Sequence, residues 1–384
     1  MTQDRVADPL SDNPVVESFV RRWIRVPPAL EGRIHPQDEM HRFGLSSLRG
    51  SEDCAAILYY LKGYQIVRAV GAALAGQPGE LSGVESLLDF ASGFGRSTRF
   101  LVREVAPSRV WVSEIQPGAG AFQQEVFGVY TADAAEEPQA FEPGRRFACI
   151  VASSFFSHVP PARFEAWLER LLGLVEPGGL FLFSVHGESL APTGASWSDG
   201  FLFQPESESR VLDPKEYGTT YVTEERVREA VARATSERGG VDYRRFGFCG
   251  HQDLCVASPD RGTVRGATVL FPRGDLLDLR SSSRLELSGW VSGPRLHGGD
   301  VTVALYVGSD RRDYRVLSPG QDNGEDGRAL WRLETERDSI GPDEVVAVTA
   351  VTSTGLENVL AMGTLRTAGL IGTPPPPASE ASRG

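Results

Sequence analysis

One segment, LLDFASGFGRSTRFL at residues 87–101, constrains the fold of this chain more than any other. Its first residues are apolar enough for a buried strand, and Gly93 and Gly95 mark the point where that strand ends. A glycine after a strand lets the backbone turn sharply and lets a ligand approach without meeting a Cβ atom. The amides at the start of a following helix then face whatever binds above the turn. The segment therefore predicts a nucleotide-type binding turn between a strand and a helix.

The spacing of this turn separates two kinds of nucleotide cofactor. A dinucleotide fingerprint requires a third glycine, and Thr98 stands at that position, so binding of NAD is disfavoured. The pattern Asp89-x-Ala91-x-Gly93-x-Gly95 instead resembles D-x-G-x-G-x-G, the first motif of class I S-adenosylmethionine-dependent methyltransferases. Ala91 stands where that family usually has its first glycine, which puts full cofactor affinity in doubt.

Strand and helix patterns alternate after this segment, and alternation predicts an α/β fold with a parallel sheet and helices on both faces. The predicted strands are residues 84–90, 109–113, 128–131, 147–153, 180–185, 243–248 and 253–257. The predicted helices are residues 96–105, a helix that ends at 123–127, and residues 161–175 and 224–234.

Two further motifs follow in the order expected for the same family. VEPGG at residues 175–179 is similar to the family's L-x-P-G-G turn before the fifth strand, and SSFFSH at 153–158 is similar to its S-x-F-x-H segment. YGTTY at 217–221 and QDL at 252–254 resemble a bacterial subset associated with glycan or cell-envelope biosynthesis. The resemblance covers residues 84–258 and implies a Rossmann-like, seven-stranded methyltransferase core that uses S-adenosyl-L-methionine.

The resemblance also implies which residues contact the cofactor. Asp89 would reach the cofactor's amino group, Glu114 at the end of the second strand would accept from both ribose hydroxyls, and Asp133 would accept from the adenine amine. Each of these acids could instead cap a turn or face solvent. The full predicted set is Asp89, Ala91, Ser92, Gly93, Gly95, Glu114, Asp133, Ala134, Ser153, Ser154 and Phe155.

Two histidines are candidate catalytic residues. Deprotonation of a hydroxyl during methyl transfer suits an imidazole whose pKa is near neutrality. His186, at the end of the fifth strand, is the first choice of base, and His158 is the second because it could simply pack at the start of a helix. His251 and Asp253 are weaker candidates.

The remaining residues predict additional domains. Residues 1–83 are interpreted as a helical cap or lid with a disordered start at 1–14, a helix at 15–23, an irregular segment at 35–43 and a helix at 51–70. Residues 262–370 predict an Ig-like antiparallel β-sandwich, and the Pro-rich tail 371–384 is predicted to be disordered. A chain truncated after Arg261 is expected to stay folded. The seven predicted sandwich strands are residues 268–271, 284–291, 301–307, 314–317, 330–334, 345–351 and 359–365.

Composition excludes several other classes. The net charge of −12 and the lack of a Lys/Arg-rich run argue against nucleic-acid binding, and four cysteines without C-x-x-C spacing argue against a zinc or other metal site. No apolar run approaches the length of a membrane-spanning helix, and the polar N-terminus is unlike a signal peptide, so a cytoplasmic protein is expected.

The sequence thus predicts a methyltransferase that O-methylates a sugar, a glycan or another small hydroxylated metabolite. Enzymes of glycan biosynthesis are its expected partners, and the β-sandwich would recognise a glycan or hold such an enzyme. The alternative is a non-catalytic scaffold that binds S-adenosylmethionine or carbohydrate and works through its β-sandwich. Ala91 favours that alternative, whereas Asp89, Gly93, Gly95 and Glu114 disfavour it.

Overall fold

The computed structural model describes residues 6–24, 30–74, 81–206, 212–264, 271–292, 297–319, 327–365 and 371–372. By its internal contacts the chain divides into two compact units. One unit comprises Met1–Gln65, Cys249–His251 and Leu270–Gly384, and the other comprises Ile66–Phe248 and Gln252–Val269. Within the described residues, no helix is both long enough and apolar enough to cross a membrane.

The N-terminal segment forms four helices: α1 (Pro9–Asp12), α2 (Pro14–Ile24), α3 (Glu39–Ser47) and α4 (Glu52–Leu74). Two expectations are wrong here, because α1 lies in the segment predicted to be disordered and α3 begins within the one predicted to be irregular. Both helices begin at an acidic N-cap, which satisfies amides that have no partner inside the helix. Asp8 accepts from the amide of Ser11, and Asp38 accepts from the amide of Met40 at 2.9 Å.

Helices α1 to α3, and α4 as far as Gln65, belong to the same unit as the β-rich C-terminal region. The guanidinium carbon of Arg22 lies 4.4 Å from the ring centroid of Tyr306, and the side-chain amide of Gln65 donates to the carbonyl of Glu357 at 2.8 Å. The lid role of residues 1–83 and the separation of folding domains near Arg261 stay predictions.

The other unit contains the predicted α/β core, and its mostly parallel, seven-stranded sheet is confirmed. Its strands are β1 (Leu87–Phe90), β2 (Val110–Ser113), β3 (Tyr130–Thr131), β4 (Phe147–Ala152), β5 (Val175–Val185), β8 (Gly240–Phe248) and β9 (Gln252–Ser258). They lie in the order β3-β2-β1-β4-β5-β9-β8, and β9 runs antiparallel to both of its neighbours. A separate hairpin pairs β6 (Phe201–Gln204) with β7 (Thr219–Val222). The helices of this unit are α5 (Thr98–Glu104), α6 (Ala119–Phe127), α7 (Pro161–Gly173) and α8 (Glu224–Ala234).

An apolar core holds β1, β4 and β5 against α7 and α8. The strands contribute Leu88, Ile150 and Phe183, and the helices contribute Trp167 and Val227, all fully or almost fully buried. Because β1 is parallel to β2 and β4, and β4 to β5, the carboxyl ends of these four strands share one edge of the sheet. The start of β9 lies at the same edge, since Asp253 pairs with Val185.

The Pro-Gly-Gly segment differs from its prediction. It was expected to be a turn before the fifth strand, but β5 already begins at Val175 and the segment is a bulge inside it. Phe147 pairs with Val175, whereas Cys149 pairs with Leu180, so β5 carries the extra residues.

The β-rich region is a sandwich of two antiparallel sheets, as predicted. One sheet contains β10 (Gly274–Ser281), β11 (Arg284–Ser292) and β14 (Arg328–Glu336). The other contains β12 (Val301–Val307), β13 (Asp310–Leu317), β15 (Val345–Thr352), β16 (Glu357–Thr364) and β17 (Ile371–Gly372). Alternate residues of both sheets, among them Leu287, Trp331 and Val348, form the core between them.

The sandwich differs from its prediction at its first and last strands. Most of the strand expected at 268–271 lies outside the described residues, while β10, immediately after it, was missed. β17 begins inside the tail that was predicted to be disordered, because Ile371 pairs with Met362. The rest of that tail, 373–384, lies outside the described residues.

Candidate cofactor and active site

The turn after β1 has its backbone in the left-handed region at three alternate positions. The φ angles are +55° at Ala91, +60° at Gly93 and +86° at Gly95. A side chain is strained in this region, which explains why glycine suits all three positions. At Gly95 a Cβ atom would also lie 2.4 Å from a ring carbon of Phe127, whereas at Gly93 it would meet open space. The backbone at Gly93 is therefore open to a ligand.

The carboxylate of Asp89 stabilises this turn through hydrogen bonds to the residues that follow it. Its Oδ2 atom accepts from the hydroxyls of Ser97 and Thr98, each at 2.9 Å. The other carboxylate oxygen, Oδ1, is buried and has no hydrogen-bond partner within the described structure. Burial raises the pKa of Asp89 from its usual value of 3.8 to about 6, against the opposing effect of the two hydroxyls.

Gln123 on α6 is a site residue that the sequence did not reveal. Its buried amide donates to the hydroxyl of Ser92 at 2.8 Å and to the carbonyl of Gly93 at 2.9 Å. Its Oε1 atom lies 2.7 Å from the hydroxyl of Thr98. Thr98 thus links Asp89 to Gln123, at the position where a dinucleotide-binding turn has its third glycine. A threonine in place of that glycine is the sequence feature that could have indicated a polar network beneath the turn.

Glu114 follows β2 and fixes the same turn from its other side. Its Oε2 atom accepts from the amide of Gly93 at 2.7 Å, and its Oε1 atom accepts from the amide of Gln116 at 2.9 Å. Each carboxylate oxygen can accept a further hydrogen bond. Asp133 and Ala134 lie in the exposed loop after β3, and their predicted contact with adenine stays a prediction.

The residues after β4 lie at the same edge of the sheet. The amide of Ser154 donates to the Ser184 hydroxyl at 2.8 Å, and the Ser154 hydroxyl donates to Oε1 of Gln252 at 3.1 Å. Ser153 has a buried hydroxyl with no hydrogen-bond partner in the described part of the chain. Phe155 packs edge-on against Phe90, with 5.0 Å between the ring centroids.

The two candidate bases lie together, with 6.1 Å between the centroids of His158 and His186. Nδ1 of His158 lies 2.8 Å from the carbonyl of Gly218, and its ring stacks on Tyr217 at 4.7 Å. Nε2 of His186 lies 3.1 Å from the side-chain nitrogen of Gln252. Burial lowers the pKa of His158, and it lowers the pKa of His186 to about 3, so both rings are neutral at pH 7.

Strand β7 holds this edge together, although its sequence alone gave it no structural role. The amides of Gly218, Thr220 and Val222 donate to the carbonyls that follow β4 and β5: those of His158, Ser157 and His186. The YGTTY motif therefore places a strand directly beside both histidines.

Asp253 completes the edge without reaching either histidine by a hydrogen bond in the described structure. It accepts from the hydroxyl of Tyr243 at 2.6 Å and from the amide of Phe246 at 2.7 Å. Both carboxylate oxygens are thereby occupied in holding a bulge of β8, which indicates a structural role. The weaker candidate His251 has its Nδ1 atom 3.2 Å from the carbonyl of Cys249.

Comparison with known proteins identifies the domain that carries this site. Residues 60–232 match the family model described as a methyltransferase domain. The chain contains a methyltransferase domain. No curated protein sequence matches the chain.

Three solved structures that are similar to this domain are distant from it in sequence. The glycopeptide N-methyltransferase MtfA, complexed with S-adenosyl-L-homocysteine, is 19% identical, with 45% of this chain and 80% of that chain covered and a TM-score of 0.33. The amino pentose methyltransferase CalS10 from Micromonospora echinaspora is 17% identical, with 51% and 91% covered and a TM-score of 0.36. An O-methyltransferase family protein from Burkholderia thailandensis is 14% identical, with 65% and 72% covered and a TM-score of 0.40.

The cofactor of the methyltransferase is S-adenosyl-L-methionine, and the turn after β1 fits such a group. A nucleoside with hydroxyl and amino donors suits the open space above Gly93 and two carboxylates. These are Asp89, whose Oδ1 has no partner among the described residues, and Glu114, which can accept further hydrogen bonds. Thr98 and Gln123 fill the position that a dinucleotide-binding turn leaves to glycine.

Proposed function

We propose that the enzyme O-methylates a sugar, a glycan or another small hydroxylated metabolite. The observation that carries this proposal is the pair of neutral imidazoles, His158 and His186, at the same sheet edge as the glycine turn. A neutral imidazole can accept the proton of a hydroxyl or hydrogen-bond to it. The surrounding hydroxyls and amide of Ser153, Ser154 and Gln252 are uncharged as well, which suits an uncharged, hydroxylated acceptor.

The reaction requires little covalent chemistry from the protein. When bound, the cofactor supplies a methyl group already activated by its sulfonium. The chain's own residues then orient the acceptor oxygen in line with that methyl group, exclude water and remove the hydroxyl proton. The polar edge after β4 and β5 is suited to this task, since its backbone is fixed by β7.

We further propose that the residues predicted from the family motif hold the cofactor. Ala91, Ser92, Gly93 and Gly95 would present backbone to it, and Glu114 would accept from the ribose hydroxyls. The remaining members of the proposed set are Asp89, Asp133, Ala134, Ser153, Ser154 and Phe155. Support comes from the hydrogen bonds that tie Asp89 and Glu114 to the two sides of the same turn.

Glu114 offers a direct test of this assignment. Glu114→Ala should weaken binding of S-adenosylhomocysteine by about 1–3 kcal/mol in calorimetry, since ribose hydroxyls and the amide of Gly93 both lose an acceptor. Glu114→Gln, which keeps one acceptor oxygen, should lose less. Equal affinity for wild type and Glu114→Ala would remove Glu114 from the site.

The acceptor class is tested with matched sugars that differ in one group. Glucose and glucosamine, free and as nucleoside-diphosphate conjugates, are incubated with S-adenosylmethionine, and NMR locates any transferred methyl group. We expect methyl groups on oxygen, with glucose and glucosamine both accepted. Transfer confined to the amine of glucosamine would contradict O-methylation, and the enzyme would then be an N-methyltransferase.

A further inference from the structure

The hydrogen bonds of His158 determine which of its ring nitrogens carries a proton. The carbonyl of Gly218 can only accept, so Nδ1 of His158 must be the donor across their 2.8 Å contact. The neutral ring therefore has its lone pair on Nε2. Within the described structure Nε2 makes no hydrogen bond, so that lone pair is available.

His186 has the same tautomer, but the lone pair on its Nε2 atom already accepts a hydrogen bond. The Gln252 amide nitrogen can only donate, so Nε2 of His186 must accept across their 3.1 Å contact. The orientation of that amide follows from Ser157, whose hydroxyl donates to the carbonyl of Ser154 and therefore accepts from the Gln252 nitrogen at 3.5 Å. The lone pair of His186 is thus already engaged, and its Nδ1–H group is buried with no described partner.

We propose that His158, rather than His186, is the general base, acting through Nε2. This inference rests on the proposed O-methylation and reverses the order in which the sequence ranked the two histidines. The acceptor hydroxyl gives its proton to Nε2 while its oxygen forms a bond to the methyl carbon. The electron pair of the broken methyl–sulfur bond stays on sulfur, and the imidazolium of His158 returns the proton to water after product release.

The YGTTY segment is, in this account, the element that positions the base. Gly218 fixes the tautomer of His158, and Tyr217 stacks on its ring with only 20° between the planes. Within the described residues, the titratable groups whose rings contact that of His158 are Tyr217 from this segment and His186 from the end of β5. His186 is uncharged at pH 7, so it does not raise the pKa of His158 by an opposite charge.

The tautomers can be measured without an acceptor. In the full-length protein with ¹⁵N-labelled histidine and saturating S-adenosylhomocysteine, two-bond ¹⁵N–¹H spectra should show a pyridine-like Nε2 for both rings. His158→Gln and His186→Gln assign the signals. In Gln252→Leu, the Nε2 signal of His186 should move toward that of a nitrogen without a hydrogen bond, while the His158 signal stays. A protonated Nε2 on His158 in neutral solution would overturn the proposal.

Turnover on a methylated sugar from the acceptor test then decides the catalytic role. His158→Gln should lower kcat by about 10²–10⁴-fold, with unchanged affinity for S-adenosylhomocysteine, and should remove the acidic limb of the pH profile. His186→Gln should lower kcat by less than about tenfold and keep that limb. The reverse ranking of the two variants would overturn the proposal. Transfer to amines alone would instead contradict O-methylation, whatever the tautomers are.

Discussion

The glycine turn follows β1, and the histidine edge is the part of the same sheet edge, after β4 and β5, that carries His158 and His186. The two are held by different interactions. The turn depends on its own backbone, which has positive φ angles at Ala91, Gly93 and Gly95. The histidine edge depends on strands from elsewhere in the chain, since β7 and Gln252 of β9 supply its hydrogen bonds. The conformation of the turn is therefore set mainly by its own residues, with support from Glu114 and Gln123, whereas the histidine edge is set by tertiary structure. Substitutions in the turn should act through backbone strain, and substitutions in the histidine edge should act through the loss of hydrogen bonds.

The largest effect on stability is expected at Gly95, where the turn leaves no space for a side chain. Gly95→Ala would place a Cβ atom 2.4 Å from Phe127 and hold an alanine at a φ of +86°. Left-handed strain and overpacking together should lower the free energy of unfolding by about 2–5 kcal/mol. Chemical denaturation checks this, with Gly93→Ala as the control because its Cβ would meet open space. Equal losses in the two variants would show that strain alone governs the turn.

Asp89 gives the turn a pH dependence opposite in sign to that of the histidine edge, where burial lowers the pKa of both rings. Its pKa is raised from 3.8 to about 6 by burial, so between these values the folded state binds more protons than the unfolded state. The contribution of Asp89 to stability is therefore greatest at low pH and falls by about 2 kcal/mol as the pH rises from 4 to 6, out of about 3 kcal/mol in full. In Asp89→Asn this part of the pH dependence should disappear. Denaturation midpoints from pH 4 to 7 measure the difference, and parallel curves for the two proteins would contradict it.

The smallest effect is expected at Ala91, the one departure from the family's glycine pattern. Left-handed strain on alanine costs about 1–2 kcal/mol, while glycine costs about 0.4–1 kcal/mol through the greater freedom of the unfolded chain. Ala91→Gly should thus stabilise the protein by up to about 1 kcal/mol, seen as a modest rise in Tm. A fall in Tm would show that Ala91 relieves its strain through contacts of its methyl group.

The same division explains what the sequence could predict. The glycine turn, Asp89 and Glu114 were found because their spacing along the chain sets their positions. Gln123 was missed since α6 brings it under the turn from outside the motif. The sequence also ranked His186 above His158, because nothing local to either residue shows that Gln252 and Gly218 are their partners. The N-caps Asp8 and Asp38 were likewise missed, and with them α1 and α3.

The central claim is that the turn after β1 binds S-adenosylmethionine. Calorimetric titration of the full-length protein with S-adenosylhomocysteine, alongside NAD, tests it most directly. The account predicts saturable binding of S-adenosylhomocysteine and none of NAD. It also predicts that Gly93→Val abolishes binding, because the new side chain occupies the open space above the turn. Tight binding of NAD with no response to S-adenosylhomocysteine would contradict the account.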